Sequence, residues 1–351
     1  MRDIAVVAFA QTEHQGEDSG LSEVELLAPV ITEVKQSTGL SRFGFTCSGS
    51  LDYLAGAPFS FVSALDAVGA WPPISESHVE MDAAWALYEA WVRLRHGDVD
   101  TALVYGFGKC SQVVREDGES GLPELMTLQL DPYYLAPLGP DQTSLAALQA
   151  RAYLDAGHKE DDLRAVAVRS RAAGRANPYA LDLAEPGEEE YEVAPLRPSD
   201  CPPVTDGAAA IVLAAGDRAH ELCERPAWIR GIDHRTDAHA FGARDLARSE
   251  SAALAGERAG TRDVEVAELH ARFSHEELIL RDALGLGDDV RVNPSGGPLA
   301  ADPVMATGLI RIGEAANRIR SGEAGRVLAH ASHGPCLQSN LVCVMEAQNH
   351  G

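Results

Sequence analysis

Six cysteines, Cys47, Cys110, Cys201, Cys223, Cys336 and Cys343, are the most conspicuous reactive groups in this 351-residue chain. None stands in a C-x-x-C pair, so they read as reduced thiols rather than a disulfide frame or a zinc site. Two acids precede expected helices. Asp82 comes before Ala83–Arg95 and can accept from the free N–H groups of that helix's first turn. Asp302 has the same possibility ahead of a helix expected from Met305. His270 follows a buried-looking strand, where one reading is a core imidazole satisfied by backbone.

These residues need a scaffold, and the hydrophobic pattern supplies one. Apolar or β-branched runs at Ile4–Phe9, Phe43–Thr46, Thr101–Tyr105, Ala208–Leu213, Ala227–Gly231, Glu265–Leu269, Gly325–Ala329 and Asn340–Met345 read as strands. Helical periodicity fills Ser22–Thr38, Asp82–Arg95, Asp141–Ala156, Lys159–Ala173, His275–Leu284 and Met305–Arg320. Strands interleaved with helices predict a wound α/β sheet. The pattern begins again near Ala227, which predicts two related halves, residues 1–222 and 223–351. The Pro-, Gly- and acid-rich stretch Leu122–Ser199 reads as an insertion over the first half, with Glu185–Glu190 as a solvated loop.

Composition narrows the function. A net charge of −24 repels nucleic acid and anionic lipid alike. No apolar run approaches the ~18 residues of a membrane span, and the start reads as a strand rather than a signal peptide. A cytoplasmic protein is the expectation.

Four segments carry a family resemblance: Val204-Thr205-Asp206-Gly207-Ala208-Ala209-Ala210; Glu268-Leu269-His270-Ala271-Arg272-Phe273-Ser274; Asn293-Pro294-Ser295-Gly296-Gly297-Pro298-Leu299 with Asp302-Pro303-Val304-Met305-Ala306-Thr307-Gly308; and His333-Gly334-Pro335-Cys336. In this order they resemble the thiolase superfamily, specifically its lipid-transfer-protein branch. The resemblance implies a five-layer αβαβα arrangement of two βαβαβ halves, and dimers paired through the edge strand of the N-terminal half.

The chain departs from a thiolase at two places. The resemblance puts the nucleophilic cysteine on the turn His78–Asp82, where a helix N-terminus would lower its pKa. Glu80 stands there instead, so covalent acyl transfer is lost. A His-Pro pair is expected after the glycine-rich loop, and here it is Asp302-Pro303. An ionised carboxylate cannot donate to an oxyanion.

Retro-aldol cleavage of a 3-hydroxyacyl-CoA needs a base and enolate donors but no cysteine. The resemblance implies Glu80, His270 and Asp302 as the catalytic set. Asp82, Gly296, Gly297, Ser332, His333 and Cys336 would contact a CoA thioester substrate, with no covalently bound cofactor and no metal. Two readings of Glu80 stand side by side, general base and structural hydrogen-bonder in a decayed site. The implied partners are an OB-fold acyl-CoA-associated protein, a thiolase-like homologue, or both. The alternative function is a non-catalytic subunit beside an active homologue.

Overall fold

The computed structural model describes residues 2–16 and 20–348. The strands are β1 (Ile4–Gln11), β2 (Phe45–Gly49), β3 (Glu76–Val79), β4 (Thr101–Lys109), β5 (Asp206–Ala215), β6 (Ala227–Thr236), β7 (Val266–Glu268), β8 (Arg291–Val292), β9 (Arg326–His333) and β10 (Ser339–Glu346). The first-half helices are α1 (Glu23–Thr38), α2 (Asp52–Ala55), α3 (Phe61–Val68) and α4 (Ala83–His96). Next come α5 (Leu122–Leu125), α6 (Gln142–Asp155), α7 (Glu160–Arg175) and α8 (Asp217–Leu222). The second half adds α9 (Glu250–Ala259), α10 (Ser274–Leu284) and α11 (Thr307–Arg320).

The sheet order is β3-β2-β4-β5-β1-β6-β10-β9-β7-β8. Read outward from the β1–β6 junction, where Ala5 faces Trp228 and Val6 faces Ala227, each side runs first, fifth, fourth, second, third. The chain therefore builds the same five-stranded unit twice. Strand alternation sends one face of both units to a shared core of α4 and α11, including Ala86, Leu87, Leu309 and Ile312. The outer face of the first unit packs on α1, α3 and α8, and that of the second on α9 and α10. This is the predicted five-layer α/β arrangement. Among the described residues, no helix is long and apolar enough to cross a membrane.

Three expectations need correction. The insertion lies on both halves rather than the first alone: Leu122 and Met126 pack with Leu51 and Leu54 of the first half, whereas Ala146, Ala150 and Tyr153 of α6 and Leu163 of α7 share a core with Ile279 and Leu280 of α10. The apolar faces of α6 and α7 find their complement there, leaving Glu185–Glu190 in a loop. Asp302 does not cap α11, which starts at Thr307 with Ala306 at its N-cap and no side-chain cap bond. Strand β3, which is polar, and β8, of two residues, were not foreseen, nor were the short helices α2, α3, α5 and α8 or α9, which is built of small residues.

Candidate active site

Strand β2 runs parallel to β3 and β7 parallel to β8, so the loops after them leave the sheet at strand C-terminal ends, where α/β folds place their sites. The loops after β3 and β8 lead to the N-termini of α4 and α11. Here the two units meet. A cavity of about 20 Å³, room for a single water, is lined by His270, Arg272, Asp302, Ser332 and His333, with Met126, Gln129 and Gln142 supplied by the insertion.

His270 is buried and held at both ends of its loop. Its Nδ1 accepts from the Ser332 backbone N–H (3.3 Å), and the Ser332 hydroxyl donates to the His270 carbonyl (2.9 Å). Accepting at Nδ1 assigns the ring proton to Nε2. That atom is buried without a hydrogen-bond partner, 3.9 Å from Asp302 Oδ1. Burial, then the Arg272 cation, holds the imidazole well below the usual histidine range. A neutral ring with an unspent N–H is suited to donate to an oxyanion.

Arg272, which sequence reasoning overlooked, changes the meaning of Asp302. Its Nε donates to Asp302 Oδ2 (2.6 Å), while the Thr307 hydroxyl donates to Oδ1 (2.7 Å). Asp302 is therefore a buried counterion, with its negative charge spent on a guanidinium that lines the cavity. His333, also in the lining, is lowered to about 4 by burial and then by Arg272, so it too is neutral near pH 7.

The other expected site residues are placed differently. Asp82 is the N-cap of α4 and does more than cap it. Its carboxylate accepts from Ala84 N–H and from Gly308 N–H of α11 (2.8 Å each), tying the two central helices together. At Gly308 a Cβ would collide with that carboxylate. Glu80 is exposed, outside the cavity lining, and accepts from the Asp52 backbone N–H. Cys336 is not in the lining either. At φ 55° its side chain joins Leu130 and Leu145, and its thiol donates to the Leu145 carbonyl (3.3 Å). Gly296 (φ 99°) and Gly297 (φ 63°) shape the loop against Gly174 and Asn293, outside the lining.

The placement of the thiols bears on covalent chemistry. Burial pushes Cys47, Cys110, Cys336 and Cys343 up to about 12, and raises Cys201 as well. No cysteine occupies the turn before α4. Incubation with acetyl-CoA should therefore leave no covalent adduct by intact mass spectrometry. A stoichiometric acetyl adduct on Cys336 would overturn this account.

Comparison with known proteins agrees with the architecture. No family model matches the sequence. The acetyl-CoA acetyltransferase of Methanothermobacter thermautotrophicus is 27% identical over 288 residues, covering 72% of this chain and 73% of that protein. Bovine sterol carrier protein 2 is 32% identical over 178 residues, 42% of this chain but only 32% of that protein. A solved structure of the Ltp2-ChsH2(DUF35) aldolase superposes with a TM-score of 0.78 at 21% identity, covering 99% of this chain and 98% of that one. The chain has a thiolase-like fold, shared with both the aldolase structure and human mitochondrial 3-ketoacyl-CoA thiolase (TM-score 0.77 at 14% identity, covering 99% of each chain). Its sequence is similar to acetyl-CoA acetyltransferases and, over a shorter stretch, to sterol carrier protein 2.

Proposed function

We propose that this chain is the thiolase-fold subunit of an acyl-CoA retro-aldolase. The complex would cleave a 3-hydroxyacyl-CoA, with a steroid side chain as the favoured class, into a shorter acyl-CoA and a ketone. One observation carries the reading: the buried, unpartnered Nε2–H of a neutral His270 beside the Arg272 cation. As the carbon–carbon bond breaks, negative charge gathers on the thioester oxygen. An uncommitted donor and a nearby cation both favour that charge. Fixed by Ser332, His270 would need no reorganisation during the step.

A partner belongs to the reading. The chain has only three lysines, Lys35, Lys109 and Lys159. Three arginines of the insertion are engaged: Arg169 pairs with Glu277, Arg171 donates to the Ala184 carbonyl, and Arg175 pairs with Glu185. An OB-fold subunit, or a more basic thiolase-like homologue, would supply cations for the phosphates of CoA. Self-association through β3, an edge of the sheet, is part of the same proposal.

Purifying the chain with its partner and assaying release of acyl-CoA tests the function. His270→Ala should lower kcat about 10²–10³-fold, the usual cost of one oxyanion donor. A second reading, a non-catalytic subunit beside an active homologue, is favoured by the small cavity and by Glu80 lying outside it. Complex activity unchanged by His270→Ala would select that reading.

A further inference from the structure

The repeated topology sets the loop after β2 in the place that the loop after β7 has in the other half. The loop after β7 brings His270 and Arg272 to the cavity. The loop after β2 reads Ser50-Leu51-Asp52-Tyr53, and Tyr53 falls in the first turn of α2. Tyr53 packs against an apolar cluster that contains Met126, Val304 and Met305, and these three residues also line the cavity of His270 and Arg272. Its hydroxyl is buried and has no hydrogen-bond partner, whereas a buried phenol usually finds one. Burial pushes this phenol up to about 12. Two charges then act on it, the Glu80 carboxylate raising it and the Arg272 guanidinium lowering it. Tyr53 stands just behind the lining residues, keeps its proton at neutral pH and feels the charges of both the cavity cation and an exposed carboxylate. The bond from Asp52 N–H holds that carboxylate at the start of the same helix.

We propose that Tyr53 faces the substrate as a proton relay, with Glu80 behind it as the final acceptor. The inference rests on the retro-aldolase reading and gives its hydroxyl proton a route out of the cavity. As the C2–C3 bond of a 3-hydroxyacyl-CoA breaks, its electron pair passes to the acyl fragment and forms the enolate that faces His270. The hydroxyl proton moves to Tyr53 Oη, the Oη proton moves to Glu80, and the C3 oxygen becomes the ketone carbonyl. Solvent protonates the enolate carbon at C2, and exposed Glu80 returns its proton to solvent. Atoms and charges balance without an added oxidant or reductant.

The test uses the chain purified with its partner and 3-hydroxy-3-methylbutanoyl-CoA, which would yield acetyl-CoA and acetone. Tyr53→Phe removes one oxygen from a packed ring and should lower kcat about 10²–10⁴-fold with KM unchanged. Glu80→Gln should do the same. The double variant should be no slower than either single one, because the two groups act as a unit. Wild-type kcat in Tyr53→Phe, or single losses that multiply in the double variant, would overturn the relay alone. A wild-type complex that cleaves neither this probe nor longer 3-hydroxyacyl-CoAs would instead remove the retro-aldolase reading beneath it.

Discussion

Replacing Arg272 by methionine should cost ~3–5 kcal/mol of stability, because it strands a buried carboxylate. Asp302 is 1% exposed and keeps only the Thr307 hydroxyl and a distant His270 when the guanidinium is removed. Chemical denaturation of the purified chain measures the loss. The double variant Arg272→Met/Asp302→Leu should recover most of it, since apolar groups of similar volume often replace a buried ion pair at little cost. A single variant within ~0.5 kcal/mol of the native chain would contradict the assignment, being the range of ordinary surface changes.

The same variant has a signed pH dependence. In the native chain the folded-state pKa of His270 lies well below 6.5, so below that pH the unfolded chain binds the proton first and stability falls. Without Arg272 a repelling cation is gone, and the Asp302 carboxylate 3.9 Å from Nε2 favours the imidazolium. The folded-state pKa then rises. The low-pH loss of stability that His270 causes then shrinks. The deficit of Arg272→Met should therefore be smaller at about pH 5.5 than at about pH 8.

Much of the fold was legible because its signals are local. The six long helices and eight of the strands carry strong periodicity, and repetition of the pattern near Ala227 foretold the second unit. Strand β3 escaped notice because Glu76-Ser77-His78 is polar, as suits an edge with one neighbouring strand. The position of the insertion was missed for a different reason. Which half receives the apolar faces of α6 and α7 depends on complementarity with α10, not on proximity in sequence.

The site was legible only where a residue's position follows from its own loop. His270 after β7 is such a case. Arg272 was not, because its role depends on Asp302, thirty positions away and brought near by the loop after β8. Counting residues put Glu80 at the turn before α4, but Asp82 is the carboxylate that turns inward. Cys336 lies in the expected loop, yet the left-handed backbone at Cys336 and Leu337 places its thiol toward Leu145. Two left-handed residues in succession turn a side chain that sequence order assigns to the pocket away from it.

Asp82→Ala should be the most damaging change at the centre of the fold. The carboxylate satisfies donors on both central helices, Ala84 N–H of α4 and Gly308 N–H of α11, and is itself 1% exposed. Removing it leaves two buried donors without partners, each costing about 1–3 kcal/mol, so the loss should be about 2–6 kcal/mol. Neither helix has another side-chain cap to compensate. Asp82→Asn keeps one acceptor but turns an amide NH₂ toward the other donor, and should lose about half as much. Because Ala83 N–H also donates to the Met305 carbonyl (2.9 Å), loosening the join reaches the cavity lining directly. Hydrogen exchange should speed up first at the N-termini of α4 and α11 together. Exchange that rises in α4 alone would mean that Asp82 caps one helix and does not bind the two units.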